Sequence, residues 1–194
     1  MDLVSRVKGI LLNPKNEWAA IDTEPTSVGA LYTGYIVPLA AIPAICGFIG
    51  SSIIGYSVLG VSVKTSMSSG LTSAVISFAL SLVSVYVMGL IIDALAPSFG
   101  GQKSQIQALK VAAYSSTAAW LAGVFSILPT LGVLGIVGLY SLYLLFVGLP
   151  ILMKSPADKS MGYTVVVIIS WIVLYIVIGA VVVAVAGTGT MFGR

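Results

Sequence analysis

Four stretches of this chain carry no charged side chain over lengths that suit a bilayer crossing: residues 31–63, 65–92, 111–153 and 160–193. A hydrocarbon core about 30 Å thick takes roughly 20 residues of helix rising about 1.5 Å per residue. Only 8% of the 194 residues are charged, against roughly 25% in soluble domains. The expected fold class is therefore an all-α integral membrane protein. The third stretch holds 43 residues, twice what one crossing uses, and Pro129 followed by Thr130 and Gly132 supplies a turn near its middle. Five spans result, at about 31–54, 71–95, 111–128, 131–153 and 163–186. Residues 1–29 form a polar amino-terminal region and 30–194 a five-helix transmembrane domain.

Basic residues accumulate in cytoplasmic loops and so set the expected orientation. Five spans put Arg6, Lys8, Lys15, Lys103, Lys110, Lys154 and Lys159 on one side and only Lys64 and Arg194 on the other. Seven against two places the amino terminus in the cytoplasm and the carboxyl terminus outside. If residues 111–153 crossed only once, the split would fall to six against three, so charge favours five spans independently of length.

Residues 2–12 place Leu3, Val4, Val7, Ile10 and Leu11 on one helical face, with Ser5, Arg6 and Lys8 elsewhere. Such a helix suits the cytoplasmic membrane surface or packing on the bundle, and the pattern accommodates both. Asn13 reads as an N-cap and Pro14 as the first position of a second short helix. Trp18 on that helix is expected at headgroup level, where tryptophans anchor. Seven charges and no uninterrupted apolar core in the first 29 residues speak against a signal peptide.

The chain has no histidine, and Cys46 is its single cysteine, expected to pack within span one. Zinc sites and histidine-based acid–base chemistry are thereby disfavoured. No catalytic residue, cofactor or metal site is assigned, and the charges form no basic cluster suited to nucleic acid. Among the ionisable residues Asp93 stands out, because it lies near the cytoplasmic end of span two, where a carboxylate is tolerable. It can pair with Lys103 or Lys110, or be bathed by headgroup water. In span one, Pro38 and Pro43 each remove an amide donor and crowd the carbonyls of Gly34 and Leu39, so a kink is expected. Such a break can expose carbonyls to an ion or serve packing alone. Small residues recur at helical spacing, as Ser73, Ser77, Ser81 and Ser84 in span two and as Gly132, Gly135, Gly138 and Ser141 in span four. They suit close helix packing or a narrow hydrated path. Tyr114, Tyr140 and Tyr143 suit either interfacial anchoring or interhelical hydrogen bonding.

Several segments together carry a family resemblance. They are Asn13-Pro14-Lys15-Asn16-Glu17-Trp18, Ile42-Pro43-Ala44-Ile45, Phe99-Gly100-Gly101, Gln107 to Tyr114, and Leu139 to Pro150 continuing through Lys154-Ser155-Pro156-Ala157-Asp158-Lys159. As an ordered set these segments resemble the Yip family of five-span membrane proteins, named for interaction with Ypt/Rab GTPases, and most of all its bacterial branch. The resemblance implies five spans, a cytosolic amino terminus and a place in the cell (inner) membrane. The longer hydrophilic amino-terminal region and the Asp-Leu-Tyr-Gly-Pro motif of eukaryotic members are missing here, so Rab-type GTPase binding is not carried over. Where relatives often have proline in span three, this chain has Ala118, so no kink is expected there.

Two functions are compatible with these residues. One is a membrane scaffold or interaction module whose partners are lipids, further copies of itself or other membrane proteins. The alternative is a small transporter or channel for an ion or small solute, built on the kinked first span, the serine row and Asp93.

Overall fold

The structure, a computed structural model, describes residues 2–58 and 61–191, with the side chains of 56–58, 61–63, 129, 130, 132 and 185–191 outside the description. The turn at Pro129 is thus described for its backbone only, and Arg194 falls outside. Four helices are long and apolar enough to cross a membrane: Val28–Ile54, Met67–Phe99, Val133–Met153 and Ala157–Ala184. They correspond to expected spans one, two, four and five.

The remaining span exists as a broken helix. It consists of α6 (Gln105–Ser115), α7 (Thr117–Ala122) and a 3₁₀ segment Gly123–Ile127, no piece being long enough to cross alone. The interruption has a local cause. Ser115, Ser116 and Thr117 turn their hydroxyls back onto the carbonyls of Val111, Ala112 and Tyr114, at 2.6, 2.8 and 2.7 Å, and such back-bonding bends helices. No proline is required. The pieces nevertheless run alongside the first span from end to end: Thr117 meets Tyr35 at 2.7 Å, Gly123 lies against Pro43, and Gly50 lies against Ser126. The broken segment thus follows the path expected of the third span, while four helices meet the length and apolarity of a crossing.

The first span opens with α3 (Val28–Leu31), capped by Ser27 Oγ accepting from the Ala30 amide at 3.2 Å. It widens into a π turn at Tyr32–Ile36, continues as α4 (Val37–Phe48) and ends in a second π turn at Ile49–Ile54. The expected proline disturbance takes this form. Pro38 sits in the first turn of α4, directly after the π turn, whose wider register accommodates the missing donor, and Pro43 lies in the interior of α4. Gly55, at φ 77°, ends the span, and a short antiparallel hairpin follows, β1 (Tyr56–Val58) against β2 (Val61–Val63). These strands are absent from the sequence expectation.

Span two is α5 (Met67–Leu95). Span four begins as a 3₁₀ helix, Pro129–Leu139, and becomes α8 (Tyr140–Met153). Its first half repeats glycine every third residue, at 132, 135 and 138. Three residues per 3₁₀ turn place such a repeat in one straight line, and Gly138 on it approaches Ala119 and Ala122. The fifth span is α9 (Ala157–Met191), packed against α5 and α8.

The amino-terminal helices take the packed one of their two expected placements, though with different contacts from those expected of Asn13 and Trp18. α1 (Leu3–Leu12) and α2 (Pro14–Thr23) form an antiparallel hairpin that packs into the bundle, α2 along α8 and α1 touching α7. Asn13 makes no side-chain cap to α2. Trp18 is no headgroup anchor: it is 0% exposed, lying flat on Gly148 and edge-on to Tyr114 with ring centroids 6.2 Å apart. A side chain at position 148 would occupy the space of the indole. Ile10 and Ile21 are equally enclosed.

This contact predicts a coupled pair. Trp18→Ala should cost about 3–5 kcal/mol and Gly148→Val about 1–3 kcal/mol through overpacking, but Gly148→Val should cost clearly less when Trp18 is already Ala. Denaturant unfolding of the four proteins in detergent micelles checks this.

Candidate functional site

The inserted hairpin brings charge into the protein. On α1, Arg6 is 4% exposed and donates to Glu17 Oε1 at 2.6 Å and to Glu24 Oε2. Its guanidinium also lies 5.7 Å from the centre of the Tyr114 ring, a cation–π contact worth about 0.5–2 kcal/mol. Gly9, one turn further along α1, leaves the room that the Glu17 carboxylate fills.

Lys110 on α6 is equally buried, and its ammonium donates to the carbonyls of Ile21 and Glu24 at 2.8 and 2.7 Å. These belong to the carboxyl end of α2, where helix carbonyls lack intrahelical partners and the dipole is negative. The end of α1 is treated in the same way, since Tyr140 donates to the Leu11 carbonyl at 3.0 Å. Lys154, the one non-glycine residue with positive φ among those described, at 53°, pairs with Asp22, which also accepts from Gln107 Nε2 at 3.2 Å. Three bases, Arg6, Lys110 and Lys154, thus face three acids, Glu17, Asp22 and Glu24.

Beyond this cluster lies a hydrogen-bonded aromatic layer. Since Thr117 spends its proton on the Tyr114 carbonyl, the Tyr35 hydroxyl donates to Thr117 Oγ1. Tyr35 and Tyr114 meet edge to face at 4.5 Å. On the far side of the layer is a cavity of about 900 Å³. Pro43 of span one, Ser77, Ser81 and Ser84 of span two, and Ser115, Ser116 and Trp120 of span three line it. Gly135, Gly138 and Ser141 of span four and Trp171 and Ile176 of span five complete the wall. Ser141 Oγ accepts from the Ala119 amide at 2.9 Å, a donor freed by the break at Ser116. Lining residues Leu139, Ile172, Ile176 and Val183 are each more than half exposed, so the cavity opens sideways along α9.

The residues singled out by sequence fall into three places. Lys110, Tyr114 and Trp18 belong to the charged and aromatic plug, while Pro43, Ser77 and Ser81 line the cavity. Pro38 shapes the start of α4, and the Pro129 backbone opens the 3₁₀ helix of span four. Asp93 stands apart: it pairs with neither Lys103 nor Lys110 among the described residues, its Oδ1 is enclosed without a hydrogen bond, and the neighbouring Ile92 carbonyl accepts from Tyr163. Among the described residues, no three of the His, Cys, Asp and Glu type come together as metal ligands. Arg6, Glu17, Asp22, Glu24 and Tyr35 are site residues that the sequence reading passes over. Their signal is the charge complementarity between α2 and the bases at 6, 110 and 154.

Removing one member of a buried pair leaves the other uncompensated, at about 3–5 kcal/mol. Arg6→Met should lower stability by that order, and Arg6→Met with Glu17→Gln should recover part of the loss. Thermal unfolding of the double-mutant cycle in detergent measures the coupling directly.

With this geometry in place, the comparisons with known proteins identify the chain's kin. No solved structure matches it. The chain is 32% identical over 127 residues to the inner membrane protein YohC of Escherichia coli strain K12, and equally so to YohC of Escherichia coli O6:H1, covering 65% of this chain and 65% of each relative. The chain thus spans slightly less than two thirds of the length of those relatives. The Yip1 domain matches residues 8–188, which takes in the hairpin from within α1 and the four long apolar helices up to Ala184, and the chain belongs to the Yip1 family.

Proposed function

We propose that this protein is an interaction module of the inner membrane, with a cytoplasmic amino terminus, that associates with lipids and with further copies of itself or other membrane proteins. One observation carries the reading: the amino-terminal hairpin is fixed inside one end of the bundle by balanced charge and a bonded aromatic layer. That end is a filled, fixed surface rather than a vestibule for solute. The reading is non-catalytic, and no Rab-type GTPase enters it. The seven-to-two distribution of basic residues supports the orientation, and the printed name of the YohC relatives supports the inner-membrane location. α9, exposed along most of its length, is the element available for lateral association, where close van der Waals packing drives helix pairing in lipid.

Transport is the second reading, favoured by the contact of the cavity with Pro43, Ser77 and Ser81. It requires the hairpin to move, since the plug closes one end.

Crosslinking in native membranes followed by mass spectrometry should give discrete self-linked or partner-linked species, and a strictly monomeric, partnerless protein rejects the module. Flux into reconstituted vesicles should stay at the empty-liposome level for wild type, Asp93→Asn and Pro43→Ala alike. Flux in wild type that either substitution abolishes would establish transport instead. For orientation, Ser5→Cys in a Cys46→Ser background should react with an impermeant maleimide only after the cell membrane is opened.

A further inference from the structure

The cavity beyond the aromatic layer has a chemistry of its own. Six serines line it, and four have hydroxyls engaged with backbone: Ser84 donates to the Ser81 carbonyl at 2.7 Å, Ser115 to Val111 and Ser116 to Ala112, while Ser141 accepts from the Ala119 amide, which leaves the hydroxyls of Ser77 and Ser81 in an otherwise largely apolar wall. No Asp, Glu, Lys or Arg lines it among the described residues. The charges lie instead beyond Tyr35, Thr117 and Tyr114. An ion would therefore find no counter-charge in this wall. Water gains little from this wall, because most of the lining is apolar and a buried water needs two to four polar partners.

What fills such a space at bilayer depth is hydrocarbon, and the opening along α9 faces the bilayer. The cavity volume of about 900 Å³ falls within the roughly 300–1,000 Å³ of small-ligand pockets. We infer that the cavity is a binding site for an acyl chain of a membrane lipid, which enters sideways between α9 and the glycine-lined 3₁₀ helix of span four.

Two tryptophans make this testable. Trp120 lines the cavity yet is only 6% exposed, Trp171 lines it from α9, and Trp18 lies in the plug, away from it. The full chain carrying Trp171→Phe is reconstituted into vesicles of phosphatidylcholine with brominated acyl chains, whose bromine quenches indole on contact. Emission should fall relative to unbrominated vesicles, and adding Trp120→Phe should remove the quenched component while Trp18 remains bright. Gly135 has open space where a side chain would begin, so Gly135→Phe should fill the cavity and restore Trp120 emission. If that variant loses its helical circular dichroism, Ser81→Phe from the facing wall should give the same recovery. Unquenched Trp120 overturns the inference, since a cavity occupied by a partner side chain or closed in the bilayer would give that result. Quenching that neither filled variant relieves overturns it too, because chains would then reach Trp120 by another route.

Discussion

Arg6 and Lys110 can lie inside this protein only because the amino-terminal hairpin brings what they need: carboxylates for the one, the loose carbonyls at a helix end for the other. In a low-dielectric interior an unmatched ammonium costs far more than one net hydrogen bond returns. Arg6 of α1 and Lys110 of the bundle therefore both depend on α2, the one on its carboxylates and the other on its terminal carbonyls. The same economy governs the hairpin's backbone. α1 and α2 are ten residues each, too short to be stable alone, and both present terminal carbonyls that a membrane cannot hydrate. Tyr140 takes one end and Lys110 the other. Around these polar contacts Ile10, Trp18 and Ile21 complete the core with Tyr35, Tyr114 and Leu149.

The far half of the bundle follows from departures from α-helical regularity, each with a local cause. Proline in span one comes with a π turn, three successive hydroxyls in span three interrupt a helix, and glycine at every third position in span four accompanies a long 3₁₀ segment. A 3₁₀ helix is narrower and longer per residue than an α-helix, so the chain at 129–139 covers its depth with less cross-section. Small residues usually bring helices together in lipid. Gly138 does so against Ala119 and Ala122, whereas Gly135 meets no neighbour and leaves part of the cavity wall open. One repeat thus serves packing at one position and space at the next.

The crossings are legible in sequence because hydropathy is summed over some twenty residues, and no local detail overturns so large a sum. The plug is not legible in the same way. Lys110 and Lys154 satisfy a count of basic residues per loop equally well whether they are hydrated or bound to α2, so the charge rule is blind to their partners. Arg6 lies off the apolar face of α1, which marks it as solvated until Glu17 and Glu24 are known to face it across the hairpin. Trp18 illustrates the same limit: a tryptophan on a short helix near a membrane surface suits the headgroups, and only the close approach allowed by Gly148, 130 positions away, makes a buried seat for it. Asp93 draws attention as a lone carboxylate in an apolar run, yet the charges that organise this protein lie on the segment that looks least like membrane protein.

Plug and cavity are physically complementary. An open space inside a bundle forfeits the dispersion contacts that hold helices together in lipid, where no hydrophobic drive replaces them. α9 shows this most clearly, since its far half borders the cavity and little of it is buried. The cohesion lost there has to be recovered elsewhere along the same helices. The charged hairpin recovers it at the other end by joining α6 and the end of α8 through Lys110 and Lys154, which cannot leave α2 without losing the partners of their charge.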